Sequence, residues 1–197
     1  MKSIVILCGG RSRRMGKDKG SLIFKGKPMI LQVINAVEDI ADEIIVVLRD
    51  EEQVKLYMEI LDVGSNLKIV TDKFKDQGPL IGILTGLSNI KSEYAQILPC
   101  DSPFISKEFI LKMFELIEMD DFDAVVPLWD DGQVEPLHSI YKKRSMIIIE
   151  DLIKARKMNV KSLIGSLNVK YVDVKDLDIT TGSFRNINRI NDIMKLG

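Results

Sequence analysis

The sequence predicts an α/β fold, with a mainly parallel sheet and helices on both of its faces, in a single domain that spans residues 1–197. Short runs rich in Ile and Val, of the length of buried strands, alternate with longer stretches of helical periodicity. Strands that are separated by helices in this way usually pair in parallel. The alternation stops after Leu128, where "WDDGQVEPLHSIYKK" contains an Asp-Gly turn and predicts an antiparallel addition to the sheet.

The predicted strands are apolar segments rich in β-branched residues. They are Ser3–Leu7, Glu43–Leu48, Leu67–Val70, Tyr94–Leu98, Asp123–Leu128 and Val169–Val174. A further extended segment follows the Asp-Gly turn. Pro136 lies in that segment and suits a sheet edge or a bulge, because proline has no N–H to donate to a neighbouring strand.

The predicted helices begin at recognisable start signals. Pro28 can open "PMILQVINAVEDI", because the first helical position needs no N–H, and Met29, Val33 and Val37 share one apolar face of that helix. Ser106 can cap "KEFILKMFELIE". The other helices are predicted after Arg49, at "GPLIGILTGL", at Ser145–Lys157, at Val160–Leu167 and from about Asn188.

The composition is that of an ordinary globular protein and excludes several classes of partner. The chain has 197 residues, of which 46% are hydrophobic and 29% charged, and its net charge is −1. There is no overall excess of positive charge to hold nucleic acid, so an anion must be bound locally. No apolar run approaches the roughly 20 residues of a membrane helix, and no targeting segment is evident. We therefore expect no membrane partner and a cytoplasmic location.

The cysteines and the single histidine suggest packing rather than chemistry. Cys8 and Cys100 form no Cys-x-x-Cys pair and no Cys/His metal spacing, so we expect both to be reduced and buried at strand ends. His138 lies beside apolar residues on an extended segment, where a packed residue is commoner than a general base.

The stretch "ILCGGRSRRMGKDKG" crowds glycines and basic side chains directly behind the first strand. It does not match the P-loop, because five residues separate Gly10 from Gly16, and no dinucleotide fingerprint can be written with Gly9 and Gly10 adjacent. Glycines still allow backbone N–H groups to approach a polyphosphate. A solvated basic loop or a small nucleic-acid patch explains these residues about equally well.

Carboxylates follow two other predicted strands. Asp101 lies between Pro99 and Pro103 in "PCDSPF" and suits a magnesium ligand, although an aspartate that caps the helix near Ser106 or satisfies a turn is the alternative. Asp72 could accept hydrogen bonds from a sugar or a base. Gly82 and Gly86 permit close packing or ligand approach, with packing favoured, and Asn188 is a natural N-cap.

Taken in order, these motifs resemble one known family. "LCGGRSRRMGKDKG" is similar to the glycine-rich signature of molybdenum cofactor guanylyltransferases, and "KPMI", "TD", "GPLIGI", "PCDSPF", "EPLHSIY" and "FRNIN" follow in the family's order over nearly the whole chain. The resemblance implies a Rossmann-like three-layer α/β/α fold. It also implies a magnesium-dependent transfer of GMP from GTP to the phosphate of molybdopterin, with release of pyrophosphate.

The resemblance also implies a set of site residues. The catalytic residues would be Lys19 and Asp101, and Asp101 would bind the magnesium ion. GTP would be bound by Leu7, Cys8, Gly9, Gly10, Arg14, Lys19, Asp72, Gly78 and Asp101. Asn186 and Asn188 would approach molybdopterin. Transient contacts with proteins that make or receive the cofactor are a further expectation.

Two other functions stay open at this point. A related nucleotidyltransferase could use CTP or activate a sugar phosphate. A nucleotide-binding accessory protein could deliver the cofactor without catalysis, although Lys19 and Asp101 argue against that. Transfer from GTP, with pyrophosphate release, separates the three.

Overall fold

The computed structural model describes residues 1–8, 18–62, 64–72 and 78–187. The strands are β1 (Ser3–Leu7), β2 (Ile23–Phe24), β3 (Lys27–Pro28), β4 (Glu43–Leu48), β5 (Leu67–Thr71), β6 (Tyr94–Pro99), β7 (Ala124–Leu128), β8 (Ile140–Lys142) and β9 (Val169–Asp173). The helices are α1 (Met29–Val37), α2 (Glu51–Met58), α3 (Pro79–Asn89), α4 (Lys107–Glu118), α5 (Ser145–Lys154), α6 (Val160–Ile164) and α7 (Val174–Leu177). Short 3-10 helices form at Pro136–His138 and Gly182–Phe184.

Seven strands form one sheet in the order β5-β4-β1-β6-β8-β7-β9. β1 pairs in parallel with β4 and β6, β4 with β5, and β7 with β9. Only β8 is antiparallel among these strands, and it lies between β6 and β7. The predicted fold class is therefore confirmed, including the antiparallel addition after Leu128.

The core lies on both faces of the sheet. Alternate residues of a strand point to opposite faces, so Ile4 and Ile6 of β1 pack in the layer that contains α1 and α4. Val5 packs in the layer that contains α3, α5 and α6. All three side chains are fully buried, which explains why β1 is a continuous apolar run rather than an alternating one.

The predicted strands are all present, with ends that differ by at most one residue. α1 to α6 correspond to predicted helices, but α5 ends at Lys154 rather than Lys157, since Arg156 has a positive φ of 57°. The prediction for Pro136 was wrong, because this residue opens a 3-10 helix. The helix predicted from about Asn188 lies outside the described residues.

Candidate active site

The carboxyl ends of four parallel strands meet at one edge of the sheet. β5, β4, β1 and β6 are successive neighbours, so the residues that follow them lie side by side. Cys8 comes directly after β1, Asp72 after β5, and Cys100 and Asp101 after β6. Open parallel sheets bind ligands at this edge because loop N–H groups and helix N-termini gather there.

Lys19 and Asp101 form an ion pair at this edge. Lys19 Nζ donates to Asp101 Oδ2 at 2.7 Å, although the two residues are 82 positions apart in the sequence. The lysine side chain is 29% exposed and the aspartate side chain 11%, so the pair is largely shielded from water. An amine and a carboxylate held together in this way offer one group to a phosphate and the other to a cation.

The backbone on both sides of Asp101 is fixed by hydrogen bonds from distant segments. Cys100 N donates to Leu7 O at 3.2 Å, which continues the β1–β6 ladder, and Ile187 N donates to Asp101 O at 2.9 Å. The alternative in which Asp101 caps the following helix is wrong. Ser106 caps α4, since its Oγ accepts from Phe109 N at 3.1 Å.

The two cysteines lie next to each other on β1 and β6, as expected from the strand register. Both are free and buried, at 4% and 5% exposure, which confirms the prediction from the sequence. A hydrogen bond with the Cys8 thiol, together with burial, holds the pKa of the Cys100 thiol well above its ordinary value. Cys100 is therefore protonated and a poor nucleophile at neutral pH.

Asp72 presents a carboxylate oxygen without a partner. Its backbone N donates to Leu48 O at 2.8 Å, and burial raises its pKa although the Thr85 hydroxyl opposes that shift. Within the part of the chain that the structure describes, Asp72 Oδ1 is buried and accepts no hydrogen bond. Such an atom has the capacity to accept from a ligand's hydroxyl or amine.

Gly78 begins α3 at the same edge of the sheet. Its φ of +83° is strained for any residue with a side chain, and α3 has no side-chain cap, so N–H groups of its first turn face a potential anion. Gly82 and Gly86 of α3 allow close packing against β1, as predicted. A Cβ atom at Gly86 would lie 2.3 Å from Val5 Cγ1, and one at Gly82 would lie 3.2 Å from Leu7 Cδ2.

A polar chain runs from Asn186 into the protein beside Asp101. Ser102 Oγ donates to Asn186 Oδ1 and lies 3.1 Å from His138 Nε2. Ser102 and His138 are both fully buried, whereas Asn186 is exposed. These contacts connect Asn186 to the buried His138 ring through one serine hydroxyl.

Glu135 lies on the far side of His138. Its Oε2 is 3.5 Å from His138 Nδ1, and its Oε1 accepts from Trp129 Nε1 at 2.8 Å. Burial alone would raise the pKa of Glu135, but the facing His138 ring and the Trp129 N–H outweigh burial and lower it. His138 is thus buried, as predicted, but it is held by polar groups on a 3-10 helix and not on an extended strand.

Of the predicted site residues, the structure brings Leu7, Cys8, Lys19 and Asp101 together at the ends of β1 and β6. Asp72 and Gly78 lie at the end of β5 and the start of α3. Asn186 reaches the same edge through Ser102. The predicted contacts of Gly9, Gly10, Arg14 and Asn188 lie outside the described residues.

Reasoning from the sequence missed several buried or half-buried polar residues around this edge. Ser102 and Glu135 belong to the quoted motifs "PCDSPF" and "EPLHSIY", so their position beside Asp101 and His138 was a usable signal. Gln53 and Tyr57 of α2 carry no such signal, because a helix with polar and apolar residues gives no hint of which polar side chain is buried.

Metal-ligating side chains are sparse here. In the described ranges, no three His, Cys, Asp or Glu residues are close enough to hold a metal ion by themselves. Asp101 alone fits magnesium, which needs only one or two protein carboxylates when phosphate oxygens and water complete its shell. No helix of the described segments is long and apolar enough to cross a membrane.

A Rossmann-like sheet with a lysine–aspartate pair at its ligand-binding edge defines a class of nucleotide-binding α/β enzymes. Comparison with known proteins places the chain within that class. The family model described as "MobA-like NTP transferase domain" matches residues 4–170, so the chain belongs to this family of nucleotidyltransferases.

Curated relatives agree over the full length. The chain is 41% identical to a protein of Methanothermobacter thermautotrophicus named "Probable molybdenum cofactor guanylyltransferase", over 98% of both chains. It is 30% identical to a protein of Bacillus subtilis with the same name, over 95% of this chain and 90% of the relative. The family resemblance predicted from the motifs is therefore confirmed.

A solved structure has the same fold. Molybdopterin-guanine dinucleotide biosynthesis protein A from Archaeoglobus fulgidus superposes with a TM-score of 0.84 over 98% of this chain and 95% of that one. The two sequences are 24% identical. The Rossmann-like architecture is thus shared by the two proteins.

Proposed function

We propose that this chain transfers GMP from GTP to the terminal phosphate of molybdopterin and releases pyrophosphate. The relatives' names support the choice of substrates. The observation that carries the proposal is the Lys19–Asp101 pair at the carboxyl ends of β1 and β6. It puts an amine and a carboxylate at the edge of the sheet where open parallel sheets bind nucleotides.

In the proposed reaction, a phosphate oxygen of molybdopterin attacks the α-phosphorus of GTP in line with the leaving group. A new P–O bond forms, and the bond from the α-phosphorus to the bridging oxygen breaks, so the electron pair leaves on pyrophosphate. No side chain becomes covalently attached. Catalysis then depends on positioning and on neutralising charge.

Lys19 would reduce the repulsion between the two anionic substrates, which is the main electrostatic barrier to this reaction. Two like charges about 4 Å apart repel by roughly 4 kcal/mol at an effective dielectric constant of about 20. The Lys19 amine, held at the edge by Asp101, is placed to stabilise the negative charge that grows on the transferred phosphate and on pyrophosphate. Because the pair is partly buried, its field is screened less than that of a fully exposed lysine.

Asp101 would hold the magnesium ion, which supplies Lewis-acid stabilisation of phosphate oxygens when bound. The aspartate suits this role because β6 and Pro99 fix its backbone and Ile187 N anchors its carbonyl. The backbone that carries the carboxylate is therefore fixed, and its Oδ2 is paired with Lys19.

Binding of the two substrates is assigned to opposite sides of β6. Leu7, Cys8 and Asp72 would border the guanine nucleoside, with the unpartnered Asp72 Oδ1 accepting from the ribose or the base. Gly78 would present the first turn of α3 to the phosphates, and Gly9, Gly10 and Arg14 are assigned to the same nucleotide by the resemblance of their motif. Asn186 and Asn188 would contact molybdopterin. The cytoplasmic location and the contacts with cofactor-handling proteins remain predictions.

The test is a transfer assay with purified protein, magnesium and molybdopterin, in which pyrophosphate release and nucleotide incorporation are measured with GTP, CTP and UTP in parallel. We expect both products with GTP and little with the pyrimidine nucleotides. Preference for CTP would replace guanylyl by cytidylyl transfer. Binding of GTP with no pyrophosphate release would indicate an accessory protein instead.

A further inference from the structure

The two ends of the glycine-rich segment 9–17 are held by the same helix. Gln53 in the first turn of α2 and Tyr57 in its last turn are 3% and 0% exposed. Being four residues apart, they share one face of the helix. That face is directed at Cys8, which precedes the segment, and at Asp18, which follows it.

Gln53 joins both ends through one amide group. Its Nε2 donates to Cys8 O at 2.8 Å and to Asp18 Oδ2 at 2.5 Å. Its Oε1 accepts from the Arg49 backbone N at 2.6 Å, so the amide orientation is fixed. A flipped amide, or a glutamate, would place acceptor against acceptor, which makes glutamine the residue type that this position requires.

Tyr57 also holds Asp18 by a hydrogen bond. Its hydroxyl donates to Asp18 Oδ1 at 2.5 Å, and the Ser21 backbone N donates to the same oxygen at 3.2 Å. Both carboxylate oxygens of Asp18 are therefore occupied by protein donors. Gly20 provides the room for this contact, since a Cβ atom there would lie 2.2 Å from the Tyr57 hydroxyl oxygen.

Asp18 is next to Lys19 in the sequence, and Lys19 reaches Asp101 at 2.7 Å. A rigid Asp18 restricts the backbone from which the lysine amine extends. We propose that Gln53 and Tyr57 are positioning residues that hold Cys8 and Asp18 in place and thereby hold Lys19 at the reacting phosphates. The part that concerns phosphates rests on the proposed function, whereas the fixing of Cys8 and Asp18 does not.

The discriminating variants are Tyr57→Phe, which removes one hydroxyl and keeps the buried ring, and Gln53→Glu, which keeps size and replaces the donor. Tyr94→Phe is the matched control, because the Tyr94 hydroxyl bonds Glu118 at a helix away from this edge. We expect Tyr57→Phe to lower kcat about tenfold and Gln53→Glu to lower it more, with the KM for molybdopterin unchanged.

Two further measurements separate positioning from simple stability. In an Asp18→Ala background, Tyr57→Phe should cause little further loss of kcat, because the loss of the carboxylate already removes the contact through which the two residues act. Tryptic cleavage within segment 9–17, which contains Arg11, Arg13, Arg14 and Lys17, should be about tenfold faster in Tyr57→Phe than in the wild type at temperatures well below melting.

The possible results decide between the proposals. If Tyr57→Phe and Gln53→Glu are cleaved and transfer GMP at wild-type rates, the proposed role of Gln53 and Tyr57 in fixing Cys8 and Asp18 is overturned. Faster cleavage with an unchanged kcat would overturn the positioning of Lys19. If the wild type transfers no GMP but the variants are cleaved faster, Gln53 and Tyr57 do fix Cys8 and Asp18, and the proposed function fails.

Discussion

Asp101 and Ser102 are neighbours in the sequence, but they belong to two different regions of the site. Asp101 turns to Lys19 and forms the charged region, which also includes Asp72. Ser102 turns to His138 and Asn186 and forms the polar chain. The charged region lies among parallel strands, whereas the polar chain depends on β8 and the 3-10 helix before it. Asp101 is thus assigned to the nucleotide, and its neighbour Ser102 belongs to the groups assigned to the acceptor.

The difference indicates how one edge can serve two anionic substrates. The charged region has a cation and a carboxylate for a metal-bound triphosphate. The polar chain is buried at Ser102 and His138 and reaches the surface at Asn186, whose carbonyl is tied to Ser102. The Asn186 amide NH₂ is therefore the part of that side chain that can donate to a ligand. In the proposed function, binding of molybdopterin would then rest on directed hydrogen bonds more than on charge.

The largest expected effect comes from removing the cation of the charged region. Lys19→Ala should lower kcat by roughly a hundredfold to a thousandfold, as for the loss of one preorganised stabilising group. Steady-state rates at saturating GTP and molybdopterin measure this. Lys107→Ala, which breaks the exposed pair with Asp39, is the control and should leave the rate unchanged. A loss below about fivefold in Lys19→Ala would contradict its role.

A smaller and more selective effect should follow from breaking the polar chain. Ser102→Ala removes the link between His138 and Asn186, and we expect the KM for molybdopterin to rise about tenfold, equivalent to about 1.4 kcal/mol. The KM for GTP should not change. Ser145→Ala, at another buried serine, is the control. An equal rise of both KM values would show that the two regions are not separate.

The smallest effect concerns stability and has a defined pH dependence. Because burial raises the pKa of Asp72, its ionised form opposes folding, and Asp72→Asn should stabilise the fold at pH 7 while weakening GTP binding. The gain should shrink as the pH falls through the raised pKa and vanish below the ordinary value of 3.8, where both states bind the proton. Thermal melts from pH 3 to pH 8 measure it, and a gain that grows with acidity would show the opposite sign.

Much of the fold could be predicted because each strand or helix carries its own signal. The apolar runs of β1 and β4 mark strands buried on both faces, and Ser106 marks the start of α4 by its capping hydroxyl. Weak local signals caused the errors. β2 and β3 have only two residues each, which is too short for a sequence pattern. Pro136 is compatible with several backbone conformations, so contacts with neighbouring segments determine which one it adopts.

By itself, the sequence determined the class of the fold and the charged residues of the site. Hydrophobic periodicity fixes which segments become parallel strands, and Lys19, Asp72 and Asp101 follow because such strands end together at one edge. Only the tertiary structure decided which partners those residues meet. The Lys19–Asp101 pair, the grip of Gln53 and Tyr57 on Asp18, and the chain from Asn186 to His138 join residues 35 or more positions apart. Such contacts arise from the packing of separate elements, for which local sequence carries no periodic signal.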